Sequence, residues 1–175
     1  MSVEVDPQSS SLTESSGSVY KHICEILDNN AVAYALLEHQ PVRTMEDAQE
    51  VCGNLPEQGV KVLFARAYTL KKQFYYVLIV WSGDTQVNFK HLANVLGIKK
   101  LSLATSDEVK QNLKVEIGAL SPFGYLQSYP VVLDRTLQTQ SELYINPGDH
   151  RKTLVLKARD LLAILNKSSA GCVVA

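Results

Sequence analysis

The chain has 175 residues, of which 46% are hydrophobic and 20% are charged, and these values indicate one globular domain and exclude wholesale disorder. The formal net charge of -1 excludes an extended surface for non-specific binding of nucleic acid. The basic pairs Lys71-Lys72, Lys99-Lys100 and Arg151-Lys152 are typical of solvated surface. The cysteines are scattered and have no histidine at ligand spacing, so we predict no metal site and no cofactor.

The first 17 residues are rich in serine and nearly free of large apolar residues. Such a composition cannot offset the entropy cost of ordering, so we predict a disordered lead over residues 1–17. From Ser18, a helix-capping residue, apolar side chains repeat at helical spacing as far as Asn29-Asn30. The first core helix is therefore expected to begin at Ser18.

The rest of the chain intermixes short strands and helices. The β-rich runs 61–68 and 74–81 flank a polar segment, which is the pattern of an antiparallel hairpin. Asn88 and Gly97 suit the two caps of a helix, and Thr105 with Glu108 matches a capping box. Further strands are predicted at 31–38, 131–134, 143–145 and 153–156, an apolar run lies at 101–104, and further helices are predicted at 44–50 and 160–165. We therefore expect a mixed α/β domain over residues 18–166, with a mixed sheet covered by helices.

The segment from Gly118 to Gly124 is the most distinctive, because two glycines bracket a proline and an aromatic residue. No helix or strand periodicity fits it, so it must form a shaped loop. Gly118 can adopt a positive φ or let the backbone approach a ligand, and the amides before Pro122 are free to face inward. Such a loop can hold a carbonyl oxygen, although a tight turn before a strand is the commoner structure for this pattern alone.

The common motifs for nucleotide binding, serine hydrolysis and zinc proteolysis are missing from the sequence. Of the four histidines, His39 and His150 fall in loops, where a side chain can meet a ligand. Lys61 stands at the start of an apolar strand and can place a point charge at the mouth of a pocket. Most lysines in such positions only keep their ammonium in water, so Lys61 alone decides nothing.

Four segments follow one another in a fixed order: Glu38–Thr44, Lys61–Phe64, Asn88–Gly97 and Gly118–Gly124, followed by Asp134 and by Asn146-Pro147-Gly148. Together they resemble the YbaK and ProX family of aminoacyl-tRNA deacylases, also called the prolyl-tRNA synthetase insertion-domain family. The likeness covers nearly the whole of the folded part. It implies a curved mixed sheet flanked by helices, and hydrolysis of the ester that joins a wrong amino acid to the 3′ end of a tRNA.

The resemblance also implies roles for individual residues. Lys61 would engage the terminal nucleotide phosphate, and the loop from Gly118 would surround the aminoacyl carbonyl with backbone amides. Water, assisted by the substrate's own 2′-hydroxyl, would then attack without a metal or a protein nucleophile. The substrate-binding residues implied are His39, Thr44, Val62, Ala119, Leu120, Ser121, Pro122, Phe123, Gly124 and His150.

Several branches of the family that remove alanine from proline tRNA have an asparagine directly after the lysine. This chain has Val62 at that position. The amino acid removed therefore stays open among alanine, serine, cysteine and threonine. The main hypothesis is a free-standing trans-editing hydrolase for mischarged tRNA, first of all proline tRNA carrying alanine, with prolyl-tRNA synthetase or a multi-synthetase complex as a further partner. The alternatives are a catalytically idle module that binds tRNA or a synthetase, which Val62 supports, and a hydrolase of small aminoacyl esters unconnected with tRNA.

Residues 167–175 are expected to form a flexible tail. From Cys172 onwards they fit the C-a-a-X prenylation pattern, and in a eukaryote a single farnesyl group would give weak membrane association. A chance match is the alternative. The odd number of cysteines and the absence of an apolar leader or of a long apolar run predict a cytoplasmic protein without a membrane span.

Overall fold

The computed structural model describes residues 7–175, with side chains from residue 17 onwards. Within that range the chain forms five α-helices and eight strands. The helices are α1 (Pro7–Asn29), α2 (Met45–Cys52), α3 (Phe89–Val95), α4 (Ser106–Leu113) and α5 (Ala158–Asn166). The strands are β1 (Tyr34–Glu38), β2 (Val60–Tyr68), β3 (Phe74–Ser82), β4 (Lys100–Leu103), β5 (Val131–Leu133), β6 (Glu142–Ile145), β7 (Lys152–Lys157) and β8 (Cys172–Val174). None of the described helices is long and apolar enough to cross a membrane.

The strands form two sheets instead of the one mixed sheet that was expected. The larger sheet has the order β4-β2-β3-β5-β8, and the smaller has the order β1-β7-β6. β2 and β3 form the predicted antiparallel hairpin, whereas β3 pairs with β5 in parallel. An isolated bridge between Gly59 and Tyr144 joins the start of β2 to β6. The mixed α/β class is confirmed, and the two sheets meet near the first residues of β2.

The helix caps follow the local sequence closely. The Asn88 side chain accepts a hydrogen bond from the His91 amide at 3.0 Å and so begins α3. The capping box of α4 is confirmed, because the Thr105 hydroxyl accepts from the Glu108 amide while the Glu108 carboxylate accepts from the Thr105 amide. These bonds satisfy amides that would otherwise have no intrahelical partner.

Helix α1 starts earlier than predicted, at Pro7 instead of Ser18. Proline suits the first turn of a helix because its missing N–H would have no partner there. The C-terminal half of α1 buries Val19, Ile23 and Leu27, and a packed helix can extend into polar sequence of modest propensity. The predicted disordered lead is therefore helical from Pro7, and residues 1–6 lie outside the described range.

Residues 172–174, at the end of the predicted flexible tail, form strand β8. This strand pairs in parallel with β5, so that Val131 faces Cys172 and Leu133 faces Val174. Two adjacent valines favour a strand, and they protect the edge that β5 would otherwise expose. The Cys172 side chain packs against the core, and burial raises the pKa of its thiol. Its lipidation remains a prediction, and it concerns a partly buried cysteine in an ordered strand.

Two groups of buried side chains cover the two faces of the larger sheet. The larger cluster includes Val60, Phe64 and Leu78 and also takes in buried residues of α1, α4 and α5. The smaller cluster includes Ala65 and Ile79 and packs beneath α3. Alternate residues of β2 thus face opposite clusters, as strand geometry requires. The larger cluster lies on the side where the smaller sheet approaches.

Candidate functional site

A cavity of about 280 Å³ lies where β2, α2, β6 and the loop at Gly118 meet. Its wall is mainly apolar, with a few polar side chains contributed by different elements, as in most small-molecule sites. The polar side chains at the wall include those of Thr44, Gln49, Asn54, Lys61, Asn146 and Thr153. Thr44 also caps α2, since its hydroxyl accepts from the Asp47 amide at 3.1 Å. A small ligand with an apolar part and a few polar groups suits this cavity.

The structure brings Lys61 and Gly118 to the same cavity. Lys61 is the second residue of β2, and its ammonium donates a hydrogen bond to the backbone carbonyl of Thr85, in the loop that precedes α3. An ammonium has three hydrogens to donate, so this bond leaves capacity for a ligand. Because Val60 and Val62 pack into the larger cluster, the alternation of the strand turns Lys61 away from the cavity floor. A phosphate bound by Lys61 would therefore lie at the rim.

Gly118 has a φ of +89°, which a residue with a side chain rarely adopts. A Cβ at this position would lie 3.1 Å from Cε1 of His150 and 3.4 Å from the Arg43 carbonyl oxygen. The His150 ring is held there because its Nδ1 donates to the Val42 carbonyl at 2.9 Å. His150 therefore lies directly against Gly118 without lining the cavity.

Along the loop, amides that donate a hydrogen bond to a described residue alternate with amides that do not. The Ala119 amide donates to the Glu116 carbonyl at 3.1 Å, and the Ser121 amide donates to the Tyr125 hydroxyl at 2.7 Å. By contrast, the amides of Gly118 and Leu120 donate to no acceptor among the described residues. Both of these residues line the cavity. Two unengaged amides near each other can polarise one carbonyl oxygen, which is the arrangement of an oxyanion hole.

Tyr125 fixes the shape of this loop. Its buried hydroxyl accepts from the Ser121 amide and donates to the Ser121 carbonyl at 2.9 Å. Burial raises the pKa of Tyr125 well above its ordinary value, so the phenol stays neutral and keeps both bonds. Ser121 itself is fully buried and lies outside the wall of the first cavity.

The end of the loop faces away from the Lys61 cavity. Pro122, Phe123 and Gly124 line a second cavity of about 350 Å³ next to α1. A Cβ at Gly124 would lie 2.2 Å from Cγ1 of Ile23, so the close approach of α1 requires glycine there. Ala119 is buried and also lies outside the wall of the first cavity. Gly118 and Leu120 line the first cavity, whereas these four residues do not.

His39 lies behind the wall of the first cavity. Its Nε2 is 2.9 Å from the Thr153 hydroxyl, and Thr153 lines the cavity. Near His150, the Glu116 carboxylate lies 3.5 Å from Nε2 of that ring and 3.9 Å from the Arg43 guanidinium. The two predicted histidines thus support lining residues, and neither reaches the cavity itself.

Several lining residues were missed from the sequence. Met45, Gln49 and Asn54 come from α2 and the segment after it, and Tyr144 and Asn146 come from the end of β6. Of these five residues, only Asn146 belongs to a recognisable sequence motif, an Asn-Pro-Gly turn. Its side chain accepts hydrogen bonds from the amides of Gly148 and Asp149. The others reach the cavity because the smaller sheet meets the start of β2.

The sequence matches the model of a known family over residues 39–164, and that family is described as the aminoacyl-tRNA editing domain. The chain is also 35% identical, over 143 residues, to the prolyl-tRNA editing protein ProX of Acetoanaerobium sticklandii. This match covers 79% of the chain and 85% of the ProX protein. The chain belongs to the aminoacyl-tRNA editing domain family. The matched region contains Lys61, Gly118 and Leu120, so the cavity lies within the editing domain.

Two further comparisons place the editing domain among its relatives. A proline-tRNA ligase of Kosmotoga olearia is 34% identical over 106 residues, which cover 61% of this chain but only 17% of the ligase. A crystal structure of a protein described as a trans-editing enzyme for prolyl tRNA synthetase superposes with a TM-score of 0.75. That match covers 90% of this chain and 94% of the other at 23% identity, and it shows a shared fold.

Proposed function

We propose that this protein hydrolyses the ester bond of a mischarged aminoacyl-tRNA that carries a small amino acid. The observation that supports this most is that Gly118 and Leu120, whose amides have no acceptor among the described residues, line the same cavity as Lys61. Membership of the editing-domain family supports the reaction class. The similarity to ProX makes proline tRNA the first tRNA to test.

In the proposed reaction, the aminoacyl carbonyl oxygen accepts hydrogen bonds from the two loop amides. Water adds to the carbonyl carbon, the bond from that carbon to the ribose oxygen breaks, and a proton passes to the ribose oxygen. The products are a free amino acid and an uncharged tRNA. The amides stabilise the negative charge that develops on the carbonyl oxygen, and they need no reorganisation because Tyr125 already holds the loop.

Lys61 has a positioning role in this scheme. Its ammonium lies at the rim, where the terminal nucleotide phosphate would arrive while the amino acid occupies the cavity. A fixed phosphate holds the ester in reach of the two amides, and correct placement of a reacting group accounts for large rate effects. The apolar wall, which includes Val62 and Leu120, suits a short aliphatic side chain. The cavity volume is near the lower end of the roughly 300–1,000 Å³ that is usual for ligand pockets, which favours a small amino acid.

The test is a panel of tRNAs mischarged with alanine, serine, cysteine or threonine, with the proline tRNA carrying alanine tried first. We expect the protein to release at least one of these amino acids far faster than buffer does. Lys61→Ala should lose this activity, whereas Lys157→Ala, which changes an exposed lysine on β7, should keep it. No release above background from any member of the panel would refute the proposal.

A catalytically idle binding module is the second candidate, and Val62 favours it because it offers no polar group beside Lys61. Such a module would bind tRNA or prolyl-tRNA synthetase without releasing an amino acid. Lys61→Ala would then weaken binding and have no rate to lower, which separates the two candidates.

A further inference from the structure

An aromatic ladder runs along one face of the larger sheet, starting at the cavity. We use this name for the four residues Phe64, Tyr76, Phe74 and Tyr68. Phe64 lines the cavity and stacks on Tyr76 with their ring centres 4.7 Å apart. Tyr76 meets Phe74 at 5.5 Å, and Phe74 meets Tyr68 at 5.6 Å. Because a strand rises about 3.3 Å per residue, the ladder extends roughly 13 Å from Phe64 to Tyr68.

The far end of the ladder is exposed and carries a cation. Tyr68 faces Phe74 on one neighbouring strand and Lys100 on the other, and residues paired in this way share one sheet face. The Phe74 side chain is 49% exposed although it is aromatic. Next to it, the turn between β2 and β3 presents Lys71 and Lys72, both exposed.

The part of the chain that contains the ladder is strongly basic, although the whole chain is slightly acidic. Between Val60 and Ser106 there are seven lysines or arginines and a single acidic residue, Asp84. Lys71, Lys72, Lys99 and Lys100 form no ion pair with any described residue. The sequence alone indicated ordinary solvated lysines, but the fold brings these two basic pairs to the end of the sheet where Phe74 is exposed and Tyr68 is half-buried.

The Glu108 carboxylate approaches the middle of the ladder and is paired with a cation there. Glu108 accepts from the Tyr76 hydroxyl at 2.7 Å and lies 3.8 Å from the Arg66 guanidinium. Asp107 precedes it in the first turn of α4. The exposed end, at Phe74 and Lys100, therefore has a net positive charge.

We propose that the exposed end of the aromatic ladder binds the single-stranded nucleotides next to the terminal adenosine of the tRNA substrate. Exposed rings provide stacking surfaces for bases, and nearby lysines contact the phosphates between them, which is how single-stranded RNA is commonly held. Phe64 is buried and Tyr76 is partly covered by Glu108 of α4, so the RNA would contact only the exposed end of the ladder, roughly 13 Å along β2 from the cavity wall. This proposal rests on the proposed function for the identity of the RNA, but it makes a separate claim about binding.

The test measures binding of an uncharged proline tRNA transcript over a series of salt concentrations. Phe74→Ala should weaken binding about tenfold without changing the salt dependence, because it removes stacking. Lys100→Ala and Lys71→Ala should each weaken binding and lower the slope of log affinity against log salt by about 0.7, because each removes one phosphate contact. Lys157→Ala is the matched control and should bind as the wild type does.

Removal of the last three nucleotides of the transcript makes the test specific for the 3′ strand. The shortened transcript should bind more weakly to the wild type, and Phe74→Ala should have no further effect on it. A Phe74→Ala effect that persists on the shortened transcript, or unchanged binding of the full transcript by all three variants, would overturn the proposal. So would sedimentation showing that Phe74→Ala dissolves a dimer while RNA affinity stays the same.

Activity measurements separate this proposal from the proposed function. If the wild type deacylates mischarged tRNA, Phe74→Ala should lower kcat/KM on that substrate but leave hydrolysis of aminoacyl-adenosine unchanged, since the latter lacks the neighbouring nucleotides. If the wild type deacylates nothing but the binding pattern holds, the proposed function fails and the RNA site stands. Equal loss on both substrates would contradict the ladder proposal alone.

Discussion

Substitution of Gly118 by alanine tests the proposed oxyanion hole at its most constrained point. The φ of +89° is strained for any residue with a side chain, at a cost of roughly 1–3 kcal/mol. In addition, the new Cβ would lie 3.1 Å from the His150 ring, which the Val42 carbonyl holds in place. The loop must therefore shift, and the Gly118 amide shifts with it. Loss of one oxyanion donor lowers kcat by about 10²–10³-fold, and we expect Gly118→Ala to fall in that range.

Gly171→Ala is the matched control for Gly118→Ala. Gly171 has the same φ of +89°, but a Cβ there would meet nothing within 4 Å, and the residue lies outside the cavity wall. Both variants should lose stability through the strained φ, and Gly118→Ala should lose more because of its contact with His150; the melting temperature should fall by about 2–4 °C for each kcal/mol. Single-turnover release of amino acid from mischarged tRNA should fall only in Gly118→Ala. Full activity in Gly118→Ala, or an equal loss in Gly171→Ala, would refute the assignment of the loop.

Three further substitutions probe other parts of the account. Lys61→Ala should lower single-turnover release at least about 10²-fold while the free energy of unfolding changes by no more than about 0.5 kcal/mol, and a large loss of stability would contradict a positioning role. Tyr125→Phe should destabilise the fold in denaturant by about 1–3 kcal/mol, because it leaves the buried Ser121 amide without its acceptor; unchanged stability and activity would show that the hydroxyl does not hold the loop. The hydrogen bond from the Thr105 amide holds the pKa of the Glu108 carboxyl below its usual value of about 4.5. This bond therefore stabilises the folded state above pH 4.5, and its contribution is lost as the pH falls through the lower folded pKa. The difference in unfolding free energy between wild type and Glu108→Gln should therefore shrink as the pH falls below 4.5, and a constant difference would contradict this bond.

The parts of the fold that depend on local chemistry could be predicted from the sequence. Asn88 and the Thr105–Glu108 capping box begin helices because each side chain satisfies an amide in its own first turn. The β2–β3 hairpin followed from two β-rich runs around a polar turn. By contrast, the start of α1 at Pro7 and the pairing of β8 with β5 depend on neighbours distant in sequence. The polar composition of the first residues suggested disorder, and the terminal position of the last residues suggested a flexible tail.

The candidate site could also be predicted from the sequence only in part. The resemblance to a family indicated Lys61 and Gly118, and the structure brings both to one cavity. The sequence could not show that Gly124 faces α1, because that depends on contact with Ile23. Nor could it show that Met45 and Tyr144 line the cavity, since the smaller sheet reaches β2 through the bridge at Gly59. The orientation of the Lys61 ammonium toward Thr85 likewise appears only in three dimensions.

We expect a small aminoacyl group to bind with its carbonyl oxygen against the amides of Gly118 and Leu120. The most direct measurement is an NMR titration of the protein with an amide-linked, hydrolysis-resistant analogue of alanyl-adenosine. We predict that the amide resonances of Gly118 and Leu120 shift strongly and saturate together, while those of Gly171 stay in place. Saturable shifts confined to the second cavity at Pro122–Gly124, with Gly118 and Leu120 unmoved, would contradict the account.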